Sequence, residues 1–149
     1  MKYTIEKLNS GENKVMVRYS TLTPEVNQII CILKNENRKL IGISNDEKVV
    51  VDISEILYIE SVDGRSYAYT QNDVIKLEYT LLQLEQLIGE ISFFRCSKSM
   101  IINIDKVKSL RSLASNRIDA MMCNGEHVMI SRTYASDFRK RLKEGSVNE

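Results

Sequence analysis

Short runs of β-branched and aromatic residues, each followed by turn residues, fill most of the chain after residue 45. Such runs cover residues 49–51, 56–59, 67–69, 74–77, 93–96, 100–102, 107–110, 117–122 and 127–130. Asp63-Gly64 and Asn124-Gly125 stand between runs, and these dipeptides favour the tight turns of β-hairpins. Because hairpin turns join antiparallel strands, the pattern predicts a mainly β (α+β) domain over residues 46–145.

Two helices are predicted within this β-rich region. Thr80 and Gln83 have the spacing of a capping box, in which each side chain satisfies a backbone N–H of the other residue. The second helix closes the domain, and Tyr134, Phe138 and Leu142 recur on one face of it. Both helices are short, so strands dominate the predicted fold.

Residues 1–45 are predicted to form a small strand-helix-strand extension. Tyr3 and Ile5 alternate with polar neighbours, which predicts a strand, and a further extended run covers residues 40–43. Between them, Thr23-Pro24 has the composition of a helix start. The helix carries an apolar stripe at Val26, Ile29, Ile30 and Leu33. We interpret the stripe as core packing, with a dimer contact as the alternative.

The charge of the chain is unevenly distributed. The net charge is +1, yet residues 91–145 hold 11 Lys/Arg against 5 Asp/Glu, while residues 1–90 hold 10 against 14. The basic side chains of the C-terminal third stand beside Ser and Thr hydroxyls at predicted strand ends, as phosphate contacts require. From composition alone, the favoured interpretation of these side chains is a solvated rim of Lys and Arg.

Enzymatic, metal-binding and cofactor-binding chemistry is not expected. The chain has one histidine, three cysteines and no glycine-rich phosphate-binding motif. We interpret His127 as a residue of a strand surface, and Cys96 as a buried thiol rather than a thiolate activated by Arg95. No catalytic residue, metal ligand, cofactor or small-molecule substrate is predicted. Without an apolar leader or an apolar run of ~20 residues, the chain is expected to be cytoplasmic, with no membrane insertion.

Two motifs of the C-terminal half carry a family resemblance. Residues 94–103 read F-R-x-x-K-S-x-I-x-N, and Asn124-Gly125 is followed by Ser131-Arg132-Thr133-Tyr134, Phe138 and Leu142. In this order, from about residue 45 to residue 144, the chain resembles the LytTR-type DNA-binding domain of the AlgR/AgrA/LytR family of bacterial transcription regulators. It is similar to the short stand-alone members of that family, which lack a receiver domain.

The resemblance implies a fold, a partner and a set of contact residues. The family's elongated, mainly β domain lays loops into successive major grooves of DNA. The implied partner is double-stranded promoter DNA, bound by a homodimer. The implied DNA-binding residues lie in three loops: Arg65 and Ser66 in the first, Ser97, Lys98 and Ser99 in the second, and Arg132 and Thr133 in the third.

Side-chain chemistry ranks these residues. Arg132 is the first candidate for sequence reading, because arginine can donate two hydrogen bonds to guanine. Lys98 suits a base or a phosphate, and the hydroxyls of Ser97 and Ser99 suit phosphates. Arg95 could instead be structural, pairing with a carboxylate such as Glu60, or could contact phosphate.

Two alternatives remain open at this level. Residues 139–141 could touch flanking phosphates or form a solvated helix face. The whole chain could also be a protein-interaction module whose basic loops bind an acidic partner, with residues 1–45 supplying an edge strand or a helix for assembly.

Overall fold

A computed structural model of the chain describes residues 1–34, 39–88 and 92–145. The chain divides into two compact units, Met1–Lys34 and Asn35–Glu149. Its helices are α1 (Pro24–Lys34), α2 (Leu81–Ile88) and α3 (Arg132–Gly145). Its strands are β1 (Lys39–Ser44), β2 (Glu47–Asp52), β3 (Tyr58–Val62), β4 (Arg65–Tyr69), β5 (Val74–Leu77), β6 (Phe93–Ser97), β7 (Met100–Asn103), β8 (Val107–Ser112), β9 (Ile118–Met122) and β10 (His127–Ile130). Every pairing between them is antiparallel, which confirms the predicted fold class.

The first unit contains the predicted helix. α1 begins at Pro24, where the Thr23 hydroxyl accepts a hydrogen bond from the backbone N–H of Val26 at 3.3 Å. No strand forms over residues 1–23, and Tyr3 and Ile5 are 86% and 88% exposed. Alternating apolar residues form a stable strand only when neighbouring strands take up their backbone hydrogen bonds and a core covers one face. The prediction of a strand before α1 was therefore wrong.

Two further details of residues 1–45 differ from the sequence interpretation. No residue of α1 is fully buried, so the apolar stripe does not form the core of a packed unit. The second extended run becomes β1, which pairs with β2 and β5 and thus lies in the second unit. β1 forms a hairpin with the adjacent β2, but its pairing with β5 joins segments distant in the chain, which local sequence does not reveal.

A seven-stranded sheet forms most of the second unit, with strand order β2-β1-β5-β4-β3-β7-β6. The turn between β3 and β4 is Asp63-Gly64, and both residues have positive φ, 52° and 75°. Two consecutive positive φ values are the signature of the type I′ turn, whose twist matches that of paired strands. The Asp-Gly prediction is confirmed, and it places the first predicted loop at the end of a regular hairpin.

α2 packs on one face of this sheet. The predicted capping box is present: the Thr80 N–H donates to Gln83 Oε1 at 2.9 Å, and the Gln83 N–H donates to Thr80 Oγ1 at 3.2 Å. Leu84 and Ile88 are buried in a core that includes Ile59 and Ile101 of the sheet. Gly89 directly follows α2 in the sequence, where a glycine is expected to end a helix, and it lies outside the described residues.

A second core lies under the three-stranded sheet, whose order is β10-β9-β8, and under α3. Phe138 of α3 is fully buried, and its ring stands 5.4 Å from that of Phe94 on β6. Gly125 has a φ of 88° in the β9–β10 connection, and its N–H donates to the Met122 carbonyl at 2.9 Å. This packing fixes the beginning of α3 beside β6, where the second predicted loop starts.

Candidate nucleic-acid interface

The second predicted loop is the turn of the β6–β7 hairpin. The strand register shifts between Arg95 and Ser97, so Cys96 forms a bulge just before the turn. The Ser97 hydroxyl accepts a hydrogen bond from the Ser99 N–H at 3.2 Å. Lys98 and Ser99 are exposed, and Ser97 is half-buried. The turn therefore presents one ammonium group and one hydroxyl to solvent, while the Ser97 side chain also braces the backbone.

Arg95 is structural, with a partner that the sequence did not indicate. Its Nη1 pairs with the carboxylate of Glu85 on α2 rather than with Glu60. Its Nε donates to the Ser97 carbonyl at 2.8 Å, and its Nη2 donates to the Lys98 carbonyl. Glu60 instead accepts a hydrogen bond from the Tyr69 hydroxyl at 2.9 Å. Burial, followed by this hydrogen bond, raises the pKa of Tyr69 to about 12.

The third predicted loop is the beginning of α3. Arg132 is the first residue of the helix, Thr133 is the second, and both are exposed. Unpaired N–H groups of a first helical turn and the positive end of the helix dipole favour anions such as phosphate. A flexible cation and a hydroxyl thus stand where the backbone itself attracts negative charge.

The first predicted loop supplies one exposed cation rather than a pair of contacts. Arg65 is exposed at the start of β4, next to the Asp63-Gly64 turn. Ser66 is 2% exposed and lies between Ser61 and Leu77 of the neighbouring strands. Its side chain cannot reach a base or a phosphate, because successive strand residues point to opposite faces and Ser66 points into the sheet's core. We therefore correct Ser66 from a DNA contact to a packing residue.

Backbone hydrogen bonds bring the three loops together. The Ser61 N–H, at the end of β3 before the first loop, donates to the Ser99 carbonyl at 2.7 Å. The Ser131 N–H, immediately before Arg132, donates to the Cys96 carbonyl at 2.9 Å. The second loop is therefore bonded on one side to the hairpin of the first and on the other to the start of α3. Residues distant in sequence form one continuous surface.

The cations of the three loops differ from several arginines of the second unit, whose charged groups have partners. Within residues 1–34, 39–88 and 92–145, the charged groups of Arg65, Lys98 and Arg132 make no hydrogen bond or ion pair. By contrast, Arg111 lies 3.7 Å from Asp119, and Arg139 donates to the Asn116 side chain at 2.6 Å. The exposed cations of the three loops remain available for an external anion.

His127 and Cys96 lie in the environments that the sequence predicted for them. His127 is exposed and lies 3.0 Å from Asp119 across the β9–β10 pair, as expected for a strand-surface residue. Burial raises the pKa of the Cys96 thiol to about 12, so this thiol stays protonated. In the described part of the chain, no group of three or more His, Cys, Asp or Glu side chains could hold a metal ion. No helix found there is long and apolar enough to span a bilayer.

Sequence reasoning missed the residues that support the loops. Glu85 carries no motif, and its partner Arg95 lies on the strand after its helix. Ser61 and the bulged Cys96 act through backbone groups, whose pairing has no side-chain signal.

Comparisons with known proteins identify a family and a similar fold. The sequence profile of the family described as LytTr DNA-binding domain matches residues 46–143. The LytTr DNA-binding domain of a putative methyl-accepting/DNA response regulator from Bacillus cereus has a similar structure, with a TM-score of 0.68 and 30% identity over 71% of this chain and 97% of that one.

Two relatives extend the comparison, one longer than this chain and one of similar length. The chain is 26% identical to the sensory transduction protein LytT of Bacillus cereus over 95% of this chain and 53% of that protein. It is 23% identical to an uncharacterized HTH-type transcriptional regulator of Staphylococcus aureus over 90% of this chain and 92% of that protein. The chain thus spans about half the length of the LytT proteins that it matches.

Proposed function

Because the chain belongs to the family of LytTr DNA-binding domains, we propose that it is a sequence-specific transcription regulator that binds double-stranded promoter DNA. The names of its relatives, a sensory transduction protein and a transcriptional regulator, support this proposal. The observation that carries it is the continuous surface of three hydrogen-bonded loops, each with an exposed and unpaired cation.

In the proposed mode of binding, the loops enter successive major grooves. Arg132 reads a guanine through its two-pronged guanidinium, because such a pair distinguishes guanine from the other bases in the major groove. Lys98 contacts a base or a phosphate, and Arg65 contacts the adjacent backbone. The hydroxyls of Ser97, Ser99 and Thr133, with the first N–H groups of α3, position phosphates.

The remaining features of the proposal concern assembly and extent. We propose residues 46–145 as the DNA-binding domain and residues 1–45 as an extension whose last strand, β1, joins the sheet of that domain. We also propose a cytoplasmic protein that binds DNA as a homodimer. The incompletely buried apolar stripe of α1, at Val26, Ile29, Ile30 and Leu33, supports α1 as a dimer contact. Sedimentation of the full chain over a range of concentrations tests this assembly.

A gel-shift experiment tests the proposed function. The probe is the promoter upstream of the protein's own gene, with and without excess nonspecific duplex, and footprinting then defines the bound site. We expect a shift that resists the competitor and weakens steeply with salt, because bound cations displace counterions from phosphates. A shift abolished by the competitor, or a flat salt response, would favour a protein-interaction module that binds an acidic partner.

Substitution of Arg132 tests how the site is read. Arg132→Ala should cost ~1–3 kcal/mol on the footprinted site and remove the discrimination against a change of one guanine. Lys108→Ala is the matched control, because it removes one exposed positive charge on β8, outside the three loops. It should leave the discrimination unchanged. Equal losses for Arg132→Ala on the bound site and on a scrambled duplex would contradict a reading role.

A further inference from the structure

We propose that Arg95 is a positioning residue, held by Glu85 of α2, that fixes the β6–β7 turn so that Lys98 faces DNA. This inference rests on the proposed function, since it assigns Lys98 to the DNA interface. Of the two alternatives for Arg95, a structural residue or a phosphate contact, it favours the structural one. Arg95 then affects DNA binding without touching DNA.

The geometry of the guanidinium supports this assignment. Arg95 uses all three of its nitrogens, towards the Glu85 carboxylate, the Ser97 carbonyl and the Lys98 carbonyl. These two carbonyls belong to the peptide bonds on either side of Lys98. The bulge at Cys96 interrupts the strand register between the pair that closes the turn, Ser97 and Met100, and the rest of the β6–β7 ladder. A planar fork with fixed donor directions can hold both carbonyls at once, which a single ammonium group cannot do.

The surroundings of Arg95 also separate it from the exposed cations of the interface. Its side chain is 26% exposed, and three of its five N–H groups already donate to partners within the protein. Glu85 is 37% exposed, so solvent screens the ion pair and limits its effect on stability. The Arg95–Glu85 ion pair acts mainly on orientation, because it holds the guanidinium in place against the turn.

In this proposal, α2 supports the DNA-binding turn through Glu85. Its Leu84 and Ile88 are buried in the sheet core, which fixes the height and rotation of the helix. Glu85 follows Leu84 directly, so the position of its carboxylate is set by the same packing. The chain of contacts runs from the core through Glu85 and Arg95 to the backbone of Lys98.

A double-mutant cycle on the footprinted duplex tests the proposal. Lys98→Ala and Arg95→Met should each lower the affinity about tenfold, which corresponds to one charge-assisted contact. If Arg95 acts through Lys98, the double variant should lose no more than Lys98→Ala alone. A direct phosphate contact by Arg95 predicts a loss of about a hundredfold in the double variant and a further fall of about one in the salt slope. That result would overturn the proposal.

Two further variants separate charge from geometry. Arg95→Lys keeps the positive charge but loses the fork, so we expect the same loss as for Arg95→Met; affinity equal to the wild type would refute positioning. Glu85→Ala keeps Arg95 intact and serves if Arg95→Met does not fold. It should lower the affinity about threefold, within the range of one modest hydrogen bond. Unchanged or tighter binding by Glu85→Ala would overturn the proposal.

A measurement without DNA distinguishes failure of this inference from failure of the proposed function. The Ser99 amide is bonded to the Ser97 hydroxyl inside the braced turn, so its hydrogen exchange reports turn order. Arg95→Met should speed this exchange at least about tenfold. If wild-type protein binds no duplex but the exchange responds in this way, the proposed function fails while the bracing stands. An unchanged exchange rate would overturn the bracing.

Discussion

Replacing Asn103 should destabilise the fold far more than its small size suggests. Asn103 ends β7, is 2% exposed, and is the last residue of the F-R-x-x-K-S-x-I-x-N motif. Its Nδ2 donates to the carbonyl of Ile56 at 2.8 Å, and its Oδ1 accepts from the N–H of Asp105 at 3.1 Å. The side chain thus ties the strand end to a segment that lies 47 residues earlier.

The magnitude follows from what Asn103→Ala leaves behind. The Ile56 carbonyl loses its side-chain donor in a region where Ile56 itself is fully buried, and an unsatisfied buried acceptor costs about 1–3 kcal/mol. The Asp105 N–H is close to solvent and can bind water, so its lost hydrogen bond adds about 0.5–1.5 kcal/mol. We expect a total loss of about 2–4 kcal/mol, a large part of the free energy of unfolding of a small domain.

Urea unfolding followed by circular dichroism measures this loss. The matched control is Asn124→Ala, because Asn124 Oδ1 also accepts a backbone N–H two residues ahead, that of Glu126 at 3.1 Å, but in an exposed turn. The control should lose less than about 1 kcal/mol. Both variants should keep the wild-type denaturant slope, so that midpoints compare directly. Equal losses at the two sites would refute the argument that the buried Ile56 carbonyl sets the cost.

Two other measurements address the second core and the tyrosine pair. Phe138→Ala should reduce the free energy of unfolding by about 3–5 kcal/mol, because it empties a fully buried site and removes the ring contact with Phe94. A loss below about 1 kcal/mol would show that this core does not fix α3. The raised pKa of Tyr69 means that the folded state favours the neutral phenol, so its contribution to stability is present below pH 10.0 and is lost as the pH rises towards about 12. The difference in urea midpoint between wild type and Tyr69→Phe should therefore shrink over this range. A Tyr69→Phe difference that stays constant with pH would contradict the linkage.

Local sequence predicted the features that depend on near neighbours. The Asp63-Gly64 turn follows from backbone sterics, since both residues adopt positive φ at low cost. The capping box of Thr80 and Gln83 needs only residues three apart on the chain. The C-terminal motifs likewise indicated the family, and with it the three loops that the fold brings into contact.

Long-range pairing decided the rest. The alternation at Tyr3 and Ile5 has the period of a strand, but no partner strand lies against these residues, and they stay exposed. Ser66 sits one position beyond an exposed arginine, and only the register of β4 between β3 and β5 turns its hydroxyl away from the surface. Successive strand residues point to opposite faces of the sheet, so a shift of one residue decides whether a side chain is buried or exposed. The alignment of a loop sequence does not determine that register.

The sequence by itself determined the class of fold, the hairpin turns and the basic residues available for a polyanion. The tertiary structure alone decided which of those residues stay free, because hydrogen bonds and burial are shared among segments distant in sequence. Arg95 and Lys98 illustrate the difference: both are cations of one motif, yet the first is bound to Glu85 and to backbone carbonyls, while the second projects into solvent. Glu85, whose carboxylate separates the roles of these two cations, lies on α2. Nothing in the sequence of that helix indicated that Glu85 pairs with Arg95.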